Sequence, residues 1–181
     1  MRASNQAETT VELKGVHLCC GGCTDAVDEA AAGVPGVESR CHMGSQSVTL
    51  TGSPGAIQQA LEAVAAAGFH GETGDDRLAM KPQGDLPRGK VKLLKLSGIH
   101  NCCDLCCDAI KGAVASVPGV TGDTAEPGGT SFEVAGDFEP DALLHALHAA
   151  GFNARASLIV LAMGHKPSPS GDSFRFCGVR L

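Results

Sequence analysis

Two stretches of this chain carry residues that could do chemistry. The first is His17-Leu18-Cys19-Cys20-Gly21-Gly22-Cys23. The second is His100-Asn101-Cys102-Cys103-Asp104-Leu105-Cys106-Cys107, with each counterpart 83 residues further on. Together they hold seven of the nine cysteines, a concentration that scattered cysteines would not produce twice in register. Thiolates are soft ligands that select Cu(I), Zn(II) and similar ions. Two cysteines three apart, at the end of a strand and the first turn of a helix, can reach one ion. The helix N-terminus is expected to stabilise the thiolates of Cys23 and Cys106 and so ease metal capture at neutral pH. The same Cys-x-x-Cys arrangement also serves thiol–disulfide exchange. One copy is a moderate signal; two copies in two similar settings are a strong one.

The elements around the clusters repeat as well. Val11 and Leu13 alternate with polar residues, the period of a half-buried strand that runs into the first cluster. From Cys23 the period is helical, with Val27, Ala30, Ala31 and Val34 on one face until Pro35-Gly36 stops it. Val37 to His42 and Ser47 to Thr51 read as a hairpin around Met43 to Gln46. Ser53-Pro54 starts a second helix, with Ile57, Leu61 and Val64 inward. Gly68 ends it and Phe69 begins a last short strand. The order is β-α-β-β-α-β.

Gly74 to Gly89, rich in Asp, Pro and Gly, reads as a linker. At about 3.3 Å per extended residue it spans roughly 50 Å, enough for the two units to move independently or fold face to face. The second unit then repeats the order. Val91, Leu93, Lys95 and Ser97 share one strand face, and Leu94 and Leu96 the other. Ile110, Val114 and Val117 form a helix stripe, stopped by Pro118-Gly119. Val120 to Asp123 and Ser131 to Ala135 make the hairpin. Pro140 opens the last helix, with Leu143, Leu144 and Leu147 inward, and Gly151-Phe152 matches Gly68-Phe69 at the same offset. The helix from Pro54 should be about one turn longer than that from Pro140. The expected division is a disordered leader over 1–8, one unit over 9–74, a linker over 75–89, a second unit over 90–157, and an extra strand (Leu158 to Ala162) with a disordered tail to residue 181. The sequence assigns no role to Cys177 in that tail.

Eleven residues separate Cys23 from Pro35-Gly36-Val37, and eleven separate Cys106 from Pro118-Gly119-Val120. With the closing Gly-Phe pairs, this resembles the heavy-metal-associated domains of copper chaperones and of the N-termini of metal-pumping ATPases. The resemblance covers roughly Val11 to Thr73 and Val91 to Ala156. It implies an α+β fold of two ferredoxin-like βαββαβ units, each an antiparallel sheet with two helices on one face. It also implies that Cys20 with Cys23, and Cys103 with Cys106, are the metal-binding pairs. The chain departs from the family pattern in four ways. Leu18 and Asn101 stand where the family has Met. His17 and His100 replace the usual Gly. Cys19 and Cys102 occupy a variable position, and Cys107 is a further thiol. Cys19, Cys102, Cys107, His17 and His100 are therefore candidate auxiliary ligands. Cu(I) is the leading metal, and Zn(II), Cd(II) and Hg(II) fit the same donors. Neighbours in an extended loop point apart, so Cys19 and Cys102 are expected to swing in only when the loop rearranges.

Composition narrows the function. Hydrophobic residues make up 43% of the chain, enough for a packed core, but aromatics only 3%, so the cores must be small and aliphatic. The net charge of −6 argues against nucleic acid, which needs clustered Lys and Arg. The longest apolar run, Leu158 to Met163, is far too short to span a bilayer. The N-terminus carries no apolar signal segment, so the expected location is cytoplasmic, or exported if a signal peptide precedes Met1. The expectation is a monomeric, non-enzymatic metal-binding protein: a chaperone, buffer or detoxification factor whose partner is a metal-transporting ATPase or another metal-handling protein. A thiol–disulfide redox protein and a module built on structural zinc are the alternatives.

Overall fold

The computed structural model describes residues 8–80 and 86–158. The leader short of Glu8, the middle of the linker, and the strand and tail expected beyond Leu158, Cys177 included, lie outside these residues.

The first half runs β1 (Thr9–Lys14), α1 (Gly21–Ala32), β2 (Val37–His42), β3 (Ser47–Gly52), α2 (Pro54–Ala66) and β4 (Glu72–Thr73), with a 3-10 turn, Met43–Ser45, between β2 and β3. The second runs β5 (Val91–Ser97), α3 (Asp104–Ala115), β6 (Val120–Asp123), β7 (Ser131–Phe138), α4 (Pro140–Ala149) and β8 (Arg155–Leu158). Each half forms a four-stranded antiparallel sheet, ordered β2-β3-β1-β4 and β6-β7-β5-β8. This is consistent with the ferredoxin-like expectation. Alternation explains which face is covered: Val11 pairs with Leu50 and Leu13 with Val48, all buried, while Thr10, Glu12 and Lys14 between them are exposed. The Ser53 hydroxyl accepts the Ala56 N–H and caps α2, which has 13 residues against 10 in α4, about the one turn expected.

Three local readings change. The strand β5 does not keep a strict alternation, because Val91 is buried together with Leu94 and Leu96. A bulge opposite it, where Gly136 takes φ +155°, shifts the register so that Val91 faces Phe138 and Leu93 faces Ala135. That bulge also carries β7 three residues past Ala135 and turns Phe138 into the core. The linker is not bare chain at its start, since Leu78 is buried and Arg77 forms a two-point ion pair with Asp75. Finally, Phe69 does not begin β4. It makes an isolated antiparallel bridge with Phe152, and β4 starts at Glu72.

That bridge is the centre of the contact between the halves. The Gly68 carbonyl accepts the N–H of His100 (3.4 Å) and of Asn153 (2.9 Å). The Gly151 carbonyl accepts those of His17 (3.4 Å) and His70 (3.0 Å), the same pattern inverted. Both glycines are left-handed, at φ +94° and +85°, and a Cβ on either would overlap the backbone nitrogen of His100 or His17. Phe69 stacks on His100 at 4.3 Å between ring centroids, and Phe152 lies 4.5 Å from His17. On the other side of the bridge His70 stacks on His148 at 3.8 Å, and Asn153 donates to the Ala65 carbonyl. That stack half-buries His148. The buried side chains form one continuous cluster through both halves.

Gly151→Ala and Gly68→Ala should each cost roughly 2–3 kcal/mol, because strain at φ > 0 adds to a backbone overlap. The expected readout is a melting temperature lowered by several degrees, with slower oxidative cross-linking of Cys19 to Cys106. An unchanged melting curve would show that this close approach does not hold the halves together. Acid should weaken the same interface. Burial, with the nearby His148 and His145, pushes the His70 pKa down to about 4, and burial lowers those of His148, His17 and His100. An unfolded chain therefore binds these protons first, and stability should fall as the pH drops from about 6.5 towards 4. His70→Asn, which copies Asn153 at the equivalent place, should flatten that fall in a thermal-melt series.

Candidate metal centre

Each cysteine loop begins where a strand ends on a left-handed glycine, Gly15 after β1 and Gly98 after β5. Val16, Leu18 and Ile99 then plug into the core and hold the loops down. Gln46, itself left-handed at φ 51°, clamps the first loop. Its side chain accepts the Leu18 N–H and donates to the Leu18 carbonyl, both at 2.9 Å, and its carbonyl accepts the Val16 N–H. In the second loop Asn101 does this work from within: its side chain donates to the Glu126 carbonyl at 2.7 Å, and its carbonyl accepts the Gly128 N–H. Asn101 is thus a loop brace. Nothing in the sequence marked Gln46. The repeated Gly-Phe pair, read from the sequence as a helix end and strand start, instead marks the contact between halves.

The helices start earlier than the sequence suggests. Cys20 and Cys103 are the N-caps, with extended backbone, and α1 and α3 begin at Gly21 and Asp104. Cys23 and Cys106 are therefore third in their helices and fully buried.

The face-to-face packing brings six sulfurs together. Cys19 lies 3.6 Å from Cys23, 3.6 Å from Cys103 and 3.5 Å from Cys106. Cys20 is 3.8 Å from Cys23 and 3.6 Å from Cys102. Cys23 is 3.9 Å from Cys102 and 3.8 Å from Cys106. Cys106 is 3.8 Å from Cys102 and 3.9 Å from Cys103. Cys19 and Cys20 do not point apart as expected: their sulfurs lie within 4.8 Å of one another and of Cys103, and both reach thiols of the other loop. Cys19 and Cys102 therefore need no rearrangement to join. Cys107 is not brought in: it is buried, and its thiol donates to the Ala125 carbonyl.

His17 and His100 lie against the cluster. A ring nitrogen of His100 is within 4.8 Å of Cys23, Cys102 and Cys106, and one of His17 within the same distance of Cys19 and Cys106. Both Nε2 atoms are buried with no hydrogen-bond partner. A buried polar atom without a partner is costly, and burial holds both rings neutral by lowering their pKa. Neutral, unpartnered imidazoles beside thiols suit a metal ion.

The thiols divide electrostatically. The Cys106 N–H, with that of Leu105, holds the Cys103 pKa down to about 7, and the Cys23 N–H lowers that of Cys20. Neither cap closes a full side-chain hydrogen bond, yet both sulfurs sit at the positive ends of their helices. Burial pushes Cys19 up to about 12 and raises Cys102 and Cys106 further. The expectation for Cys106 is thus reversed, because desolvation outweighs the helix end once the sulfur is inside the core. The favoured thiolate is the cap.

No family model matches the chain, and no curated protein matches it. Among solved structures, the N-terminal soluble domains of Bacillus subtilis CopA align over 84% of this chain and 95% of theirs, at 11% identity and a TM-score of 0.31. A structure of the water-soluble region of the same P-type ATPase aligns over 83% and 91%, at 13% identity and 0.33. The first two RRM domains of the yeast poly(U)-binding protein Pub1 align over 82% and 98%, at 8% identity and 0.23. Scores this low carry no argument about function. Among the described residues no helix is long and apolar enough to cross a membrane.

In the reduced, metal-free chain iodoacetamide at pH 7 should modify Cys103 and Cys20 first and Cys106 last, with the Cys103 rate rising through about pH 7. Peptide mapping by mass spectrometry reads the order. Labelling led by Cys106 would reverse the assignment of the cap thiols.

Proposed function

We propose that this chain is a non-enzymatic soft-metal-binding protein whose two cysteine loops form one shared site, with Cu(I) as the leading ion. The observation that supports this reading is the meeting of six thiols from both loops at 3.5–3.9 Å. Cys20, Cys23, Cys103 and Cys106 are its principal ligands, and Cys19, Cys102, His17 and His100 complete it. Cys102 is exposed, and Cys19, Cys20 and Cys103 are partly so. An incoming thiol can attack there and take the ion one ligand at a time. That suits a chaperone or buffer that hands its cargo to a metal-transporting ATPase or another thiol-bearing acceptor. The net charge of −6 steers it towards a basic surface.

A second reading has its own observation. Cys23, Cys102, Cys106 and His100 offer ligand atoms all within 4.8 Å of one another, the donor set of a tetrahedral structural zinc. Metal content of the protein isolated without added metal, and the rate at which a chelator removes it, separate these readings. Slow removal of a single zinc favours the structural module. An isolated protein without metal that reduces a disulfide substrate favours the redox alternative.

Cu(I) titration of the reduced chain against a competing chelator tests the shared site. Cys20→Ser/Cys23→Ser and Cys103→Ser/Cys106→Ser should each weaken all binding by well over hundredfold, beyond the roughly 10–100-fold that loss of an outer-sphere partner costs. If either variant keeps half of the sites at full affinity, the loops act separately.

A further inference from the structure

The six sulfurs are more than a crowd. Their contacts close four triangles: Cys20-Cys23-Cys102, Cys23-Cys102-Cys106, Cys19-Cys23-Cys106 and Cys19-Cys103-Cys106. Each triangle shares an edge with the next, so they form a continuous strip across both halves. An ion centred among three thiolates at a bond of about 2.3 Å needs sulfurs about 4.0 Å apart. The observed edges of 3.5–3.9 Å are close to that value. The same contacts close no tetrahedron of four sulfurs. The thiol arrangement therefore suits an ion content with three thiolate neighbours, which Cu(I) is.

We propose that the two loops together hold a polynuclear Cu(I)–thiolate cluster of more than two ions, with room for four, one at each triangle, successive ions standing on alternate faces of the strip because ions centred in the planes of adjoining triangles would be only about 2.2 Å apart. This rests on the soft-metal reading above and goes beyond a single ion per chain or per loop. Cys23 and Cys106 each belong to three triangles and Cys19 and Cys102 to two, so these four sulfurs bridge ions. Cys20 and Cys103 belong to one triangle each and close the ends. The bridging role accounts for the cysteine placed before each Cys-x-x-Cys pair: one ion per pair would not need it.

Charge supports the monovalent ion. Each thiol gives up its proton to solvent on binding, and no atom changes oxidation state. Four Cu(I) and six thiolates carry a net charge of −2. That charge lies at the converging N-termini of α1 and α3, where the unpaired N–H groups favour it. Four divalent ions would instead put +2 at two positive helix ends. His17 and His100, with their unpartnered buried nitrogens, are placed to cap the cluster from inside.

The test loads the full reduced chain anaerobically with Cu(I) and reads stoichiometry by native mass spectrometry and metal–metal scattering by X-ray absorption. The expected result is more than two ions per chain, with copper–copper scattering. Two ions or fewer, or any number without that scattering, overturns the cluster but leaves the soft-metal reading standing; no binding at all overturns both. Cys19→Ser/Cys102→Ser removes one corner of every triangle while sparing both Cys-x-x-Cys pairs. It should load at most two ions without metal–metal scattering, and a full load in this variant overturns the proposal. Cys107→Ser should load as the unaltered chain does, and a reduced load there would overturn the assignment to these six thiols.

Discussion

Two glycine carbonyls hold this molecule in its functional shape. Gly68 and Gly151 each receive two N–H groups from across the interface, and each leaves no room for a Cβ. The exchange is reciprocal, so the halves meet about a local twofold axis with Phe69 paired against Phe152. The cysteine loops lie beside that axis. His17 and His100 both donate backbone N–H groups to the glycine carbonyls and present rings to the cluster. The interface and the sulfur cluster are thus joined through the same two residues.

A thiolate in the interior of this site needs a cation beside it, because burying an unpaired charge is costly. Cys23 and Cys106 are buried among other thiols, and Cys106 and the half-buried Cys19 resist ionisation because desolvation disfavours a thiolate. Only the cap sulfurs, Cys20 and Cys103, are eased towards the thiolate, by helix N–H groups. A thiophilic cation would relieve this by replacing the protons. That gives the rim and the centre different parts in the proposed exchange. The accessible, more acidic cap thiols are where an ion first arrives. The buried thiols would hold it, because a ligand there competes with little water.

The pairing of two halves explains how the arrangement forms with so few large side chains. Neither half has a Trp or Tyr; the first sheet carries a modest aliphatic core, and the second adds Phe132 and Phe138 to one. Pairing the halves merges those cores into one cluster and buries Phe69 and Phe152, two of the largest side chains in it. Small interiors gain most from such merging, since the buried fraction of surface rises with size. The rings at the seam then serve both stability and the site.

The alternation in β1, the stops at Pro35-Gly36 and Pro118-Gly119 and the start at Pro54 are local properties, set by backbone sterics and side-chain period. They made the repeated elements and the loops bearing Cys19, Cys20, Cys23, Cys102, Cys103 and Cys106 legible in the amino-acid order. The bulge at Gly136 and the late start of β4 were not legible, because pairing partners decide them. Nor was Gln46, whose role exists only where the hairpin meets the loop. The exclusion of Cys107 turned on one helical step that points its sulfur at Ala125 instead of the cluster. Above all, a linker of roughly 50 Å permits many arrangements of two units. Sequence could place three thiols on each loop. Only the packing of Gly68 on the His100 strand end and of Gly151 on the His17 strand end put the six within 4 Å contacts, because close approach between surfaces depends on both at once.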